Sequence, residues 1–208
     1  MYPILDIDFC NKNNIQYLPL IKCWENFPDL IDCFQIRAKN ISPKKFEEIF
    51  HHFKKYTKIK IIINDYWQIA MELNADGIHL GKEDYQNLGK YERKSFLNFK
   101  GWKGTSSHSL EDLKDLENFW DYTGYGPIFN TTTKLSQNQT LGIENLQRAI
   151  KISKIPIVPI GGINLKNFSL LMKLNKIKPA SISLFSRQED FKKIAIEYSK
   201  KLGLTSIE

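Results

Sequence analysis

Residues 59–80 read IKIIINDYWQIAMELNADGIHL. Residues 59–63 are isoleucine at every position but one, with no polar–apolar alternation. A strand buried on both faces reads that way. Residues 66–73 follow with a helical pattern, and residues 77–80 return to a short strand. Strand, helix and strand in so short a span make one βαβ unit, which implies a parallel sheet.

The same alternation extends outward in both directions. Toward the N-terminus, residues 33–37 (CFQIR) read as a strand, and Ser42 with Pro43 reads as an N-cap and first helical position, opening a helix to about Tyr56. Before them come a strand at 2–7 and a helix near 15–24. Toward the C-terminus, 85–98 is helical or mixed and 102–106 is a weak strand. Ser109 and Asp112 stand at capping-box spacing at the start of a helix over 109–117. Strands follow at 122–126, 157–160 and 181–185, with helices at 141–153, 164–174 and 191–202, the last stopped by Gly203. Eight strand–helix units predict an α/β fold, a closed (β/α)8 TIM barrel occupying residues 1–208 as one domain. An open doubly wound sheet is the alternative.

Hydrophobic residues make up 42% of the chain and charged residues 25%, the balance of an ordinary globular protein. The first residues, MYPILDIDFCNKNN, carry acids within the apolar stretch and do not read as a signal peptide. No apolar run reaches the length of a membrane span. Cys10, Cys23 and Cys33 form no CxxC pair, so neither a disulfide framework nor a zinc site is expected, and a reducing cytoplasm fits. The net charge of +7 falls largely on lysines in helical segments, where it forms a solvated face. Basic residues are not interleaved with aromatics, so no nucleic-acid partner is expected. Phosphorylated small molecules suit the charge.

In such a barrel the chemistry lies at the C-terminal ends of the strands. Residues 124–134 read GYGPIFNTTTK. Gly124 and Gly126 allow close approach to the backbone and Pro127 stiffens the loop. Thr131, Thr132, Thr133 and Lys134 then supply three hydroxyls and an ammonium, the donor set an anionic ligand needs. Other strand ends carry Gln35, Arg37 and Lys39; Asn64 and Asp65; Asp84; Ser106; Gly161 and Gly162; and Ser183 and Ser186. Asp65 and Asp84 end neighbouring strands, a pair suited to Mg2+ with ligand phosphate oxygens. The Gly161-Gly162-Ile163-Asn164 run precedes a predicted helix, where backbone amides bind phosphate. His51, His52 and His79 read as structural or exposed.

Taken in order, QIRAK (35–39), NDYWQIAMELNADGIHLGKED (64–84), GTSSHS (104–109), GYGPIFNTTTK (124–134) and IPIVPIGGIN (155–164) resemble the thiamine phosphate synthase family. The resemblance implies a (β/α)8 barrel that joins a pyrimidinylmethyl diphosphate to a thiazole phosphate, releasing pyrophosphate. It implies that Gln35, Arg37, Lys39 and Asn64 hold the pyrimidine diphosphate and that Asp65 and Asp84 bind Mg2+. Ser106 would contact the pyrimidine, and Thr131, Thr133 and Lys134 would bridge the substrates, with Lys134 on the diphosphate. Gly162, with amides near Ser183 and Ser186, would hold the thiazole phosphate. Arg37, Lys39 and Lys134 are the expected catalytic cations. A homo-oligomer is compatible with the family. Ala38, Tyr66, Gln68, Lys82, Asn130, Ser181 and Arg187 stand where the family usually carries other residues. Two alternatives remain open at this point. One is a thiazole tautomerase of the same superfamily, with His108 as proton shuttle. The other is a non-catalytic barrel that binds phosphate ligands.

Overall fold

The computed structural model describes residues 1–131 and 139–204. Its strands are β1 (Tyr2–Asp6), β2 (Cys33–Arg37), β3 (Lys60–Asn64), β4 (Gly77–His79), β5 (Trp102–Ser107), β6 (Tyr122–Tyr125), β7 (Ile157–Pro159) and β8 (Ala180–Ser181). They lie in the order β7-β6-β5-β4-β3-β2-β1-β8, and every ladder is parallel. The helices are α1 (Ile7–Lys12), α2 (Tyr17–Glu25), α3 (Pro43–Tyr56), α4 (Trp67–Glu72), α5 (Lys82–Gln86), α6 (Lys90–Asn98), α7 (Leu110–Lys114), α8 (Gly142–Ile152), α9 (Phe168–Met172) and α10 (Gln188–Leu202). The result is the predicted (β/α)8 barrel, nearly closed. The open doubly wound sheet is set aside because β8 pairs with β1, with Tyr2 opposite Ala180 and Pro3 opposite Ser181.

Three departures from the sequence expectation trace to a side chain that bonds the backbone; in addition the helix expected over 109–117 is shortened to Leu110–Lys114, and α5 begins at Lys82, ahead of the expected 85–98. The first is α1, which the sequence reading ran past. Asp6 ends β1 and caps this helix, its carboxylate accepting the Phe9 amide at 2.8 Å. The second is the strand expected at 181–185, which stops at Ser181. The Ser181 hydroxyl accepts the Leu184 amide at 3.2 Å and turns the chain out of the sheet. The third is the helix expected from Asn164, which begins only at Phe168. Asn164 Oδ1 accepts the amides of Lys166 and Asn167 at 2.9 and 3.3 Å, holding residues 164–167 in a turn. By contrast, Ser42 caps α3 as predicted, accepting the Lys45 amide, and Gly203 closes α10 at φ +68°.

The apolar residues divide into two bodies. The larger fills the space between sheet and helices. There Trp24 is fully buried and its indole N–H donates to the Phe185 carbonyl at 3.1 Å, tying α2 to the chain after β8. Phe50 and Phe53 bury the inner face of α3 while Lys54 and Lys55 stay outside. The smaller body is the barrel lumen, where Tyr2, Ile4, Cys33, Ile62, Tyr122 and Val158 interdigitate. Alternate residues of each strand point inward, so the lumen is a packed layer.

Two glycines make room for it. A Cβ on Gly77 would lie 2.5 Å from Ile62 Cδ1, and one on Gly104 would lie 2.0 Å from the Tyr122 ring. The phenol of Tyr122 thus occupies the space above β5 that a side chain would take. Gly104→Ala is therefore expected to cost about 1–3 kcal/mol through overpacking, seen as a melting temperature lowered by several degrees (about 2–4 °C per kcal/mol at this size). A variant melting with the parent would mean that Tyr122 is not held there.

Candidate active site

Above the apolar layer the lumen turns polar, and the change is built from consecutive inward positions. The hydroxyls of Tyr2 and Tyr122 are 2.6 Å apart, and Gln35 Nε2 donates to the Tyr2 hydroxyl at 3.1 Å. The Tyr122 hydroxyl is 3.2 Å from His79 Nδ1, and His79 Nε2 is 3.0 Å from Ser106 Oγ. A hydrogen-bonded chain therefore climbs the lumen from Tyr2 on β1 to Ser106 near the end of β5. Burial first, and then the mutual proximity of the two phenols, keep Tyr2 well above the usual tyrosine range, so it stays neutral. His79, which the sequence reading took as structural or exposed, is the link to Ser106. Its inward position follows from the strand alternation with Gly77, the one signal that could have placed it.

At the C-terminal end the predicted site residues fall into two groups. One surrounds a cavity of about 130 Å³ at the ends of β5 to β8, with Ser106, His108, Thr131, Gly162 and Ser183 in its lining. Its wall is made by two loops that bond to each other. The Ile128 amide donates to the Ile160 carbonyl at 2.9 Å and the Phe129 amide to that of Gly161 at 3.0 Å. Gly162 sits at φ +65°, and a Cβ there would meet the Asn130 carbonyl oxygen at 2.3 Å. Only glycine fits this junction. The side-chain amides of Asn164 and Asn167 both donate to the Gly162 carbonyl, at 3.1 and 2.9 Å, fixing that carbonyl's direction.

The expected helix-terminus phosphate site at Gly161-Gly162 is corrected accordingly. Asn164 is in a turn and α9 is only 5 residues long, so any anion there meets loop amides rather than the end of a long helix. Ser186 is buried, its hydroxyl donating to the Ile182 carbonyl at 2.7 Å, and it does not line this cavity. His108 lines it, with Nδ1 2.6 Å from the Gly126 carbonyl. A carbonyl can only accept, so Nδ1 carries the proton. Thr132, Thr133 and Lys134 lie outside the described residues.

The second group sits at the ends of β2 to β4. Gln35 and Asn64 are buried in the lumen. Arg37 is half-buried and ion-paired with Asp6, the same carboxylate group that caps α1. Sequence reading missed Asp6, which it placed inside an apolar strand. Lys39 is exposed, and its backbone amide donates to Asp8 at 2.8 Å. Asp65 adopts φ +65°, unusual for a residue with a side chain, and its amide donates to the His79 carbonyl at 3.0 Å. That bond sets the ends of β3 and β4 side by side. Asp84 is exposed in the first turn of α5, its carboxylate lying over Gly81. Among the described residues no three His, Cys, Asp or Glu side chains cluster for a metal.

Several residues unusual for the resembled family have local partners. Lys82 donates to Asp112 at 2.9 Å, and Asp112 also accepts the His108 amide at 2.8 Å. Burial pushes the Asp112 carboxyl upward, but the His108 amide and the Lys82 ammonium outweigh it and hold it below the usual carboxylate range. The Ser109–Asp112 capping box is half formed: Ser109 caps the Asp112 amide, while the Asp112 side chain reaches back to His108. The Tyr66 hydroxyl donates to the Ile41 carbonyl and its ring packs on Phe46. Ala38 is buried.

A barrel whose convergent donors all lie at the strand C-termini defines an enzyme of the (β/α)8 class. A family model described as thiamine monophosphate synthase matches residues 2–183. The chain is 32% identical to the thiamine-phosphate synthase of Archaeoglobus fulgidus over 170 residues, 80% of this chain and 79% of the relative. It is 38% identical to that of Clostridium tetani, over 78% of each. In structure it superposes on thiamine phosphate pyrophosphorylase from Pyrococcus furiosus with a TM-score of 0.72, at 24% identity, covering 95% of this chain and 96% of the other. The chain belongs to the thiamine monophosphate synthase family. Its activity is that of a thiamine-phosphate synthase, a transferase. None of the helices among the described residues is long and apolar enough to cross a membrane.

Gly162→Ala forces a Cβ into two carbonyl oxygens and a positive φ at once. The variant is expected to fold, to melt lower, and to lose affinity for inorganic phosphate at this cavity. Equal phosphate affinity by calorimetry, with the barrel intact by circular dichroism, would remove Gly162 from the site.

Proposed function

We propose that the two groups of residues divide one coupling reaction between them. The β2–β4 group takes 4-amino-2-methyl-5-pyrimidinylmethyl diphosphate, and the β5–β8 cavity takes a thiazole phosphate. The observation that carries this reading is the family match across residues 2–183, together with donors at the strand ends in the order the family resemblance implies. The bond between the pyrimidine methylene and the diphosphate oxygen breaks, and its electron pair leaves with pyrophosphate. The methylene carbon, stabilised by the electron-rich pyrimidine, then accepts the lone pair of the thiazole nitrogen. No proton has to move in either step, so the site needs no dedicated general base. His108 then serves as a wall and not as a shuttle.

What the residues contribute is mainly charge and position. The family resemblance assigns Arg37, Lys39 and Lys134 to the oxygens on which charge builds as the C–O bond lengthens, where preorganised cations act most strongly. Asp6 holds the Arg37 guanidinium from below, so its direction is set before substrate arrives. The resemblance likewise gives Gln35 and Ser106 to the pyrimidine, and Thr131 and Thr133 to the bridge between the substrates. Gly162 and the amides near Ser183 and Ser186 receive the thiazole phosphate. Asp65 and Asp84 would hold Mg2+, which when bound neutralises diphosphate charge. A magnesium ion takes one or two carboxylates and completes its octahedron with water and phosphate oxygens. Two carboxylates on adjacent strand ends have that composition.

Two measurements test the assignment. Calorimetric titration of the pyrimidine diphosphate is expected to show tighter binding with magnesium than without, and Asp84→Asn is expected to abolish the difference. Metal-independent affinity in the parent protein would end the role of this pair. Lys134→Ala is expected to slow single-turnover coupling about a hundredfold, on the order of 3 kcal/mol, while weakening substrate binding less. A near-parental rate would take Lys134 out of the reaction.

A further inference from the structure

A cavity larger than the one at the strand C-termini lies at the opposite end of the barrel. It measures about 850 Å³ and opens at the N-terminal face of the barrel. It exists because the barrel wall is incomplete there. β8 has only two residues and pairs with β1, while the chain before it meets β7 through a single bridge, Ile157 to Ile177. No residue lines both this cavity and the one at the strand C-termini.

Its chemistry is specific. Trp102, Tyr122, Ile155 and Val158 form apolar and aromatic walls, and the volume falls within the range of small-molecule sites. The mouth is cationic: Lys151, Lys154, Lys176 and Lys178 all line it. Lys178 is ion-paired with Asp32, but among the described residues the other three make no salt bridge. Lys60, which is not part of the lining, places its Nζ 4.4 Å from the centre of the Trp102 ring. Two carboxylates oppose them. Asp32 is taken by Lys178, and Asp121 accepts the Lys103 amide at 2.7 Å. The back wall adds no negative charge. Burial, and then the nearby Asp32, push the Cys33 thiol up to about 12, and burial likewise keeps Tyr2 and Tyr122 protonated.

We propose that this cavity is a second ligand site, for a small aromatic phosphate whose ring lies against Trp102 and Tyr122 and whose phosphate meets Lys151, Lys154 and Lys176. A flat ring suits the aromatic walls, and a dianion suits three ammonium groups that have no salt bridge among the described residues. A neutral aromatic would leave the lysines unmatched, and inorganic phosphate alone would leave the walls wet.

The test uses 1-naphthyl phosphate, titrated by calorimetry into the full chain, with 1-naphthol and inorganic phosphate as controls. Saturable binding is expected with a component that the lysines of the N-terminal face carry, each control being at least about tenfold weaker for that component. The double variant Lys154→Glu/Lys176→Glu replaces two exposed side chains, so it should fold as the parent does, checked by circular dichroism. It is expected to lower affinity at least about tenfold, the scale of two reversed surface charge contacts. Gly162→Ala removes only binding at the thiazole-phosphate cavity of the opposite end, and the component carried by Lys154 and Lys176 is expected to persist in it. No saturation at millimolar ligand would overturn the proposal. So would affinity indifferent to the two charge reversals, or loss of that component in Gly162→Ala instead.

Discussion

The polar lumen depends on one hydroxyl. Tyr122 stands in the space left by Gly104, touches Tyr2 through its oxygen, and meets His79 with the same atom. A phenol in a closed barrel without partners would cost several kcal/mol of desolvation. Here the two phenol oxygens, Gln35 Nε2 and both His79 ring nitrogens each have a neighbour to bond, so the interior tolerates a tyrosine pair, a glutamine and a histidine together. The order of those bonds sets what lies above them. His79 is held from below by Tyr122 and in turn meets Ser106, so the floor of the site is bonded to the barrel strands.

The charged residues are arranged on a different plan. Arg37 is anchored through Asp6, a carboxylate already committed to capping a helix, and Lys82 through Asp112, which also binds the His108 amide. Each acid serves a cation and a backbone donor at once, so neither carboxylate is left without a partner when an anion draws on its cation. Lys82, one of the positions at which the sequence departs from the resembled family, finds its partner in Asp112 on α7.

Much of the barrel was legible because its signals are local. The isoleucine run of β3, the Ser42-Pro43 start of α3 and Gly203 at the end of α10 each act within a few residues of themselves. What could not be read was decided across the barrel or by a side chain turning back on its own backbone. Asp6 looks like strand interior until Phe9 and Arg37 arrive from elsewhere. His79 looks like any strand histidine until Tyr122 and Ser106 close on it. Asn164 and Ser181 show hydrophobic patterns around them that favour helix and strand, and their own oxygens overrule both. The division of the site into two groups was also hidden, since strand ends appear equivalent in a one-dimensional list. The cavity at the far end follows from a missing ladder, which no single residue announces.

Asp65 gives the site an unusual relation to mutation. Its backbone lies at φ +65°, where a β-carbon is costly and glycine is at ease, with asparagine and aspartate the best of the remainder. The position therefore serves two masters, the turn after β3 and whatever the carboxylate does. Of the twenty residues only aspartate supplies a short acid that also tolerates this conformation, since glutamate lengthens the arm and gives up the local backbone contact. Drift at this position is thus narrow for reasons that begin in the main chain. A lineage that gave up the acid would be expected to settle on glycine or asparagine, keeping the turn after its chemistry had gone.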